Sequence, residues 1–186
     1  MHQLPGTKLE GTNLNCEEIF RSIFMAGGLV LSQVCTITGL ESHTVQNWVK
    51  RKFVSPPKDK KYSKNQLCRI ICINLLKDAL PLDVICNLLA HINGILAKEE
   101  DDFIADSQLY FYFVQVVFQT EGLVPSMQGI QAVLQQVLAD YAEPVPGAKK
   151  RLMEVLEMML MAHRSVQYKQ QAMLLYRSAE MGDCKL

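Results

Sequence analysis

Residues 31–63 constrain the fold of this chain more than any other stretch. Their pattern is that of two short helices joined at a glycine, then a lysine-rich segment, then the start of another helix. Gly39 can adopt the positive φ that a tight turn between helices requires, and Cys35 is small enough to let the two helices touch. The spacing therefore predicts a helix-turn-helix, with an ordinary helical hairpin as the alternative.

The apolar residues of this stretch have the spacing expected for the inner faces of two packed helices. These residues are Val34, Leu40, Val45 and Trp48. Ser32 and Ser42 are the predicted N-caps of the two helices, because a serine hydroxyl can accept a hydrogen bond from an unpaired backbone N–H. The second helix is predicted over residues 42–52.

The outward side chains of the second helix are mostly hydrogen-bonding types. In a helix that enters the major groove of DNA, such side chains reach base edges and phosphates. Together with Ser32 and Ser42 at the two helix starts, the candidate contacts on this surface are His43, Thr44, Gln46, Asn47, Lys50 and Arg51.

The segment after the second helix is rich in lysine. Phe53 and Val54 form a short apolar pair, and the prolines at positions 56 and 57 stop the helix. Ser63 has the position of an N-cap for a third helix. Between them lie four further candidate contacts to nucleic acid, which are Lys58, Lys60, Lys61 and Tyr62.

The charge of the chain is unevenly distributed. Residues 43–64 contain seven lysines or arginines and one acid, Asp59. The rest of the chain contains twelve basic and eighteen acidic residues, so a formal net charge of zero hides a strongly basic stretch. A local basic patch of this kind is typical of proteins that bind phosphate groups, whatever the isoelectric point of the whole chain.

Residues 31–89 resemble the DNA-binding domain of the MerR family of bacterial regulators. In that family a helix-turn-helix is followed by a segment that ends in proline, a wing, and a second pair of helices. Residues 52–56 (KFVSP), 60–63 (KKYS) and 80–85 (LPLDVI) occupy the corresponding positions here. The resemblance is greatest to an uncharacterised family of MerR-like proteins from Gram-positive bacteria, which have a helical C-terminal half.

The chain also departs from the MerR pattern. Gln46, Asn47 and Trp48 stand where the recognition helix usually has an arginine and paired aromatic residues. The lysine segment lacks the usual glycine and arginine, and no long heptad helix follows directly. The resemblance implies a winged helix-turn-helix that binds double-stranded DNA, and the departures concern the operator and the dimer geometry.

The predicted fold is all-α, with a MerR-like winged helix-turn-helix followed by a C-terminal helical bundle. Three parts are expected, which are a leader and helix (1–28), the DNA-binding domain (29–97) and a C-terminal domain (98–186). Residues 1–14 are predicted to be a mobile polar leader before a helix that begins at Cys16. The acidic run 98–102 predicts a solvated boundary between the two halves.

The C-terminal half contains an apolar run, residues 109–118, that is compatible with a helix or with a buried strand. A helix is preferred because the run exceeds eight residues and begins after an acidic cap. A last long helix is predicted over residues 148–179. Two roles for this half compete, which are a dimerisation bundle and a small-molecule effector pocket lined by the methionines and by Tyr110, Phe111, Tyr112 and Phe113.

Other classes of protein find little support in the sequence. There is no run of 18 apolar residues and no signal-like N-terminus, so a cytoplasmic protein without a membrane span is expected. The chain has no phosphate-binding loop, dinucleotide fingerprint or zinc-protease motif, so neither an enzyme nor a cofactor is predicted. Cys68, Cys72 and Cys86 could ligate a metal, but small buried hydrophobic residues are the preferred interpretation.

These observations together predict a DNA-binding transcriptional regulator that acts as a homodimer. The second helix, residues 42–52, would enter the major groove while the lysine-rich wing holds phosphates. A non-catalytic helical protein, serving protein–protein contact or acting as an excision-type accessory factor, is the alternative.

Overall fold

The computed structural model describes residues 2–93, 104–122 and 127–183. Within these ranges the chain is mostly helical, as the sequence predicts. The predicted boundary between residues 97 and 98 and the acidic run 98–102 lie outside the described residues. In chain order the elements are β1 (His2–Gln3), β2 (Glu10–Gly11), α1 (Cys16–Ile23), α2 (Leu31–Thr38), α3 (Ser42–Lys50), α4 (Lys64–Leu76), α5 (Leu82–Asn93), α6 (Asp106–Gln119), α7 (Met127–Val137) and α8 (Ala148–Asp183).

Helix α4 lies at the centre of the molecule. Almost every side chain from Leu67 to Leu76 is buried, because the helix is apolar around its whole circumference. It packs against α2 and α5, which belong to the N-terminal half of the chain, and against α6 and α8, which belong to the C-terminal half. The buried side chains of the two halves therefore form one continuous hydrophobic cluster.

The start of α4 confirms the predicted cap. The Ser63 hydroxyl accepts a hydrogen bond from the Gln66 backbone N–H at 3.2 Å, and Gln66 Oε1 accepts one from the Ser63 N–H at 2.8 Å. This reciprocal pair is a capping box, which satisfies two N–H groups that would otherwise lack partners.

The apolar run 109–118 is a helix, so the preferred interpretation is confirmed and the strand is wrong. Tyr110 and Phe111 pack against Phe20 of α1, with ring centroids 5.5 and 5.4 Å apart. Phe113 is fully buried as well. These three aromatic side chains belong to the hydrophobic core.

Residues 2–14 form an ordered hairpin with packed contacts, which corrects the expectation of a mobile leader. His2 and Gln3 pair antiparallel with Gly11 and Glu10. Leu4 is fully buried, and the Tyr110 hydroxyl donates a hydrogen bond to the Pro5 carbonyl at 2.9 Å. Each strand is only two residues long, which is too short for an alternating apolar pattern to predict it from the sequence.

The hairpin is held by one polar side chain of the central helix. Asn74 Nδ2 donates to the carbonyl oxygens of Gly6 at 3.1 Å and Thr38 at 3.0 Å. Asn74 therefore links the N-terminal turn, the end of α2 and α4 at a single point. Among the described residues no helix has an apolar stretch long enough to cross a membrane.

His163 of α8 predicts a dependence of stability on pH. Its ring packs edge-on against Phe113 at 5.8 Å, and burial, followed by the nearby Arg164 charge, lowers the pKa of His163. The unfolded chain therefore binds more protons than the folded one just below the ordinary histidine pKa of about 6.5. The free energy of unfolding should accordingly fall as the pH drops through that range.

We expect His163→Gln to make this loss of stability on acidification shallower. Urea unfolding of both proteins between about pH 7.5 and pH 5.5 measures the effect. An equally steep loss in the variant would show that His163 is not its source.

Candidate nucleic-acid interface

Helices α2 and α3 are joined as the sequence predicts. Gly39 has φ +72° and ends α2 with a left-handed turn. Val34 and Val45 are fully buried between the helices and the rest of the core, and Trp48 is only 3% exposed. Cys35 Sγ lies 3.6 Å from the Ser42 hydroxyl, so the small residue does lie where the helices meet.

The two predicted serine caps are wrong. Val30 and Glu41 occupy the N-cap positions, so Ser32 and Ser42 lie in the first turns. Gln33 Oε1 accepts a hydrogen bond from the Val30 N–H at 3.0 Å, and this bond replaces a serine cap for α2. Both serines are exposed, and the hydroxyl of Ser42 faces Cys35.

One face of α3 is polar and open to solvent. Val45 and Trp48 mark the buried face of the helix. Residues that are three, four and seven positions apart share one face of an α-helix, and one such set lies opposite Val45 and Trp48. The four residues with that spacing are all exposed, and they are His43, Gln46, Asn47 and Lys50. We call these four residues the α3 stripe.

Two other predicted contacts flank the stripe. Thr44 is half-buried, so only part of its side chain is available to a ligand. Arg51 follows the last helical residue, and its guanidinium lies 4.5 Å from the centre of the Phe53 ring. This cation–π contact restricts where the Arg51 charge can lie.

Helix α3 ends at Lys50, two residues earlier than predicted. Lys52 has φ +61°, and the Phe53 N–H donates to the Trp48 carbonyl at 2.9 Å. Helices commonly end with a residue in the left-handed conformation, followed by an N–H that donates to a carbonyl five residues earlier. Glycine is the residue most often found at the left-handed position.

The lysine-rich segment forms a tight turn. The Lys61 N–H donates to the Lys58 carbonyl at 2.8 Å, and the two residues between them, Asp59 and Lys60, have φ of +50° and +60°. Positive φ at both central residues suits the two-residue turn that closes a β-hairpin. We call residues 58–61 the lysine turn. All three of its lysines are exposed.

The lysine turn is attached to the body by one pair of backbone hydrogen bonds. Leu29 and Tyr62 each donate an N–H to the carbonyl of the other, at 2.9 and 2.7 Å. Tyr62 is itself only 4% exposed, and burial raises the pKa of its hydroxyl. Its side chain therefore belongs to the core, which corrects its prediction as a nucleic-acid contact.

Backbone strain is concentrated around this surface. Among the described residues, the non-glycine residues with positive φ are Lys52, Asp59 and Lys60. A left-handed conformation costs a non-glycine residue roughly 1–2 kcal/mol. Strain of this kind persists where the surrounding structure imposes it, and it is common at functional sites.

Two positioning residues were missed by the sequence analysis. Gln66 Nε2 donates to the carbonyls of Ser55 and Pro56, both at 2.9 Å, and so anchors the segment before the lysine turn. The sequence does point to Gln66, because Ser63 and Gln66 have the spacing of a capping box.

The second missed residue is Arg69, which is 4% exposed. Its Nε donates to the Phe53 carbonyl at 2.8 Å, and its Nη1 lies 3.3 Å from Asp106 Oδ1. It therefore links the segment after α3 to the start of α6. An arginine inside an apolar helix requires a buried partner, but the sequence does not say which one.

Cys68 and Cys72 are buried in the core, where desolvation raises the pKa of both thiols. Cys86 is half-buried. In the part of the chain that the structure describes, no group of three histidine, cysteine or acidic side chains is placed to hold a metal ion.

Comparison with models of protein families gives a match over the middle of the chain. Residues 28–113 are similar to a family described as Domain of unknown function (DUF1836), and the match covers a little under half of the chain. The matched region begins before α2 and ends within α6, so it contains the α3 stripe and the lysine turn. No curated protein and no solved structure gives a significant match.

Proposed function

We propose that this protein is a DNA-binding transcriptional regulator that uses the α3 stripe and the lysine turn as its contact surface. The observation that carries the proposal is an exposed polar helix face followed by a strained, lysine-rich turn. Seven basic residues and one acid between positions 43 and 64 supply the charge. The resemblance to the MerR family supports the same assignment.

The α3 stripe and the lysine turn are suited to different contacts with DNA. Gln46 and Asn47 can form paired hydrogen bonds with the edge of adenine, and the major groove is wide enough to admit a helix. Lys58, Lys60 and Lys61 can neutralise phosphates on either side of that groove. Base contacts provide sequence preference, whereas phosphate contacts provide affinity and register.

The test of phosphate binding is the double variant Lys60→Ala, Lys61→Ala. Each lost phosphate contact should reduce the slope of log K against log salt by about 0.9, so the slope should become shallower by about 1.8. Fluorescence anisotropy with genomic DNA fragments at several salt concentrations measures it. The matched control replaces two exposed lysines elsewhere, Lys77→Ala and Lys150→Ala.

Affinity for every duplex should fall alike in the lysine variant, whereas Gln46→Ala or Asn47→Ala should reduce the preference for one site by about 1–3 kcal/mol. An unchanged salt slope after removal of both lysines would show that the turn does not bind phosphates. A salt slope that changes equally in the control would show that DNA binds surface lysines in general and not the lysine turn in particular.

We further propose that the regulator is a homodimer that acts in the cytoplasm. The second half of α8 is exposed from Gln167 to Ala179, yet it carries large apolar side chains. They are Tyr168, Met173, Leu174, Leu175 and Tyr176. Pairing of this segment with its copy would bury them, and a symmetric dimer reaches two DNA half-sites.

The alternative is a non-catalytic protein that binds other proteins, including an excision-type accessory factor. The exposed apolar end of α8 favours it, because such patches often mark protein interfaces. A gel-shift assay with genomic fragments at low salt separates the two hypotheses. A pure adaptor would retard no fragment.

A further inference from the structure

An apolar groove runs between α5 and α8, and none of the residues that line it belongs to the α3 stripe. Its volume is about 880 Å³, which lies within the range of small-molecule sites. Val84 and Leu88 form one wall, and Met158 and Met161 form the other. Val84, Met158 and Met161 are 43%, 45% and 40% exposed, so the apolar surface is open to solvent.

The charged side chains that line this groove are both acidic. Glu154 and Glu157 lie one turn apart on α8, and Ser165 contributes a hydroxyl. The salt bridges formed within the described residues involve neither glutamate. The groove therefore has apolar walls and carries negative charge from the two glutamates.

Glu157 has a second unusual feature. Its Oε2 accepts a hydrogen bond from Gln131 Nε2 of α7 at 2.6 Å, which holds the carboxylate in place. Its Oε1 is buried and has no hydrogen-bond partner. A buried carboxylate oxygen without a donor is costly, and a positive charge placed nearby in the groove would offset part of that cost through the Coulomb attraction.

We infer that the groove binds a small amphipathic cation, an ammonium group attached to a hydrophobic or aromatic body. The apolar body would lie between Val84 and the two methionines, whose flexible thioethers adapt to varied shapes. The ammonium would lie beside the Glu157 carboxylate, with Glu154 adding negative charge. This site differs in place and in composition from the aromatic pocket predicted from the sequence.

The test is isothermal titration calorimetry of the full chain with three probes of similar shape. They are 2-(1-naphthyl)ethylammonium, the neutral 2-(1-naphthyl)ethanol and the anionic 1-naphthylacetate. The ammonium should bind about tenfold or more tightly than the alcohol, because the alcohol lacks the positive charge that is attracted to the two carboxylates. The acetate should bind most weakly.

Glu157→Gln separates the charge from the shape of the site. A glutamine keeps an oxygen that can accept from Gln131, so the local packing is preserved. The variant should lose about tenfold in affinity for the ammonium and leave the alcohol unchanged. The exposed Glu18→Gln of α1 is the matched control and should change neither value.

Val84→Trp tests the location independently, because it fills the groove from a partly exposed position. It should abolish binding of both the ammonium and the alcohol. Equal affinities for the ammonium and the alcohol, an unaffected Glu157→Gln protein, or full binding by Val84→Trp would each overturn the inference. Absence of binding by all three probes would overturn it as well.

Discussion

Replacing Arg69 with methionine is expected to lower the free energy of unfolding by about 3–5 kcal/mol. The arginine side chain is 5% exposed and its partner Asp106 is 14% exposed. Removal of the guanidinium takes a charged partner away from the nearly buried Asp106 carboxylate and leaves the Phe53 carbonyl without its 2.8 Å donor. Methionine retains much of the volume, so the loss reports on charge and not on a cavity.

Urea unfolding measures the loss, and two further variants interpret it. The double variant Arg69→Met, Asp106→Leu should recover part of the stability, because it no longer buries a carboxylate from which the arginine has been removed. Lys77→Met removes the lysine of the Lys77–Asp78 pair, which is more exposed and has an N–O distance of 3.7 Å. That change should cost less than about 1 kcal/mol. A double variant no more stable than Arg69→Met would contradict this account.

The double variant Leu174→Glu, Leu175→Glu is expected to convert the proposed dimer into a monomer. Leu174 and Leu175 are 64% and 71% exposed, so neither side chain contributes much to the fold of one chain. Burial of a leucine contributes about 1.5–3 kcal/mol, and the variant dimer lacks four leucines, two from each chain, so association should weaken by about 6–12 kcal/mol. This corresponds to a rise in Kd of roughly ten-thousandfold or more.

Sedimentation equilibrium over a range of concentrations measures the change, and circular dichroism checks that the helices remain. The matched control is Leu14→Glu, because Leu14 is 91% exposed and lies far along the chain from α8. This control should leave both the mass and the helix content unchanged. A wild-type protein that is monomeric at every concentration, or a variant that stays dimeric, would remove this segment as the interface.

Local patterns in the sequence were sufficient for several elements. The Gly39 turn and the buried faces of α2 and α3 depend on spacings of a few residues. The Ser63 cap of α4 depends on a residue only three positions away. The helical state of residues 109–118 follows from the length of one apolar run. Each of these features depends on contacts between near neighbours, which the order of residues specifies directly.

Other features depended on partners that are distant in the chain. The N-terminal hairpin is ordered because Tyr110 and Asn74 hydrogen-bond to its turn, 105 and 68 residues away. Tyr62 looked available to nucleic acid until its pairing with Leu29 placed it in the core. The pairing of Arg69 with Asp106 spans 37 residues.

By itself, the sequence determined the helical class, the turn between α2 and α3, and the concentration of positive charge in residues 43–64. Helical periodicity, glycine conformation and charge are properties of single residues and short windows. Tertiary structure decided which polar side chains are exposed, which are held by distant carbonyls and carboxylates, and where an acidic apolar groove opens. Those outcomes depend on how helices far apart in the chain pack together, because burial and partners exist only after packing.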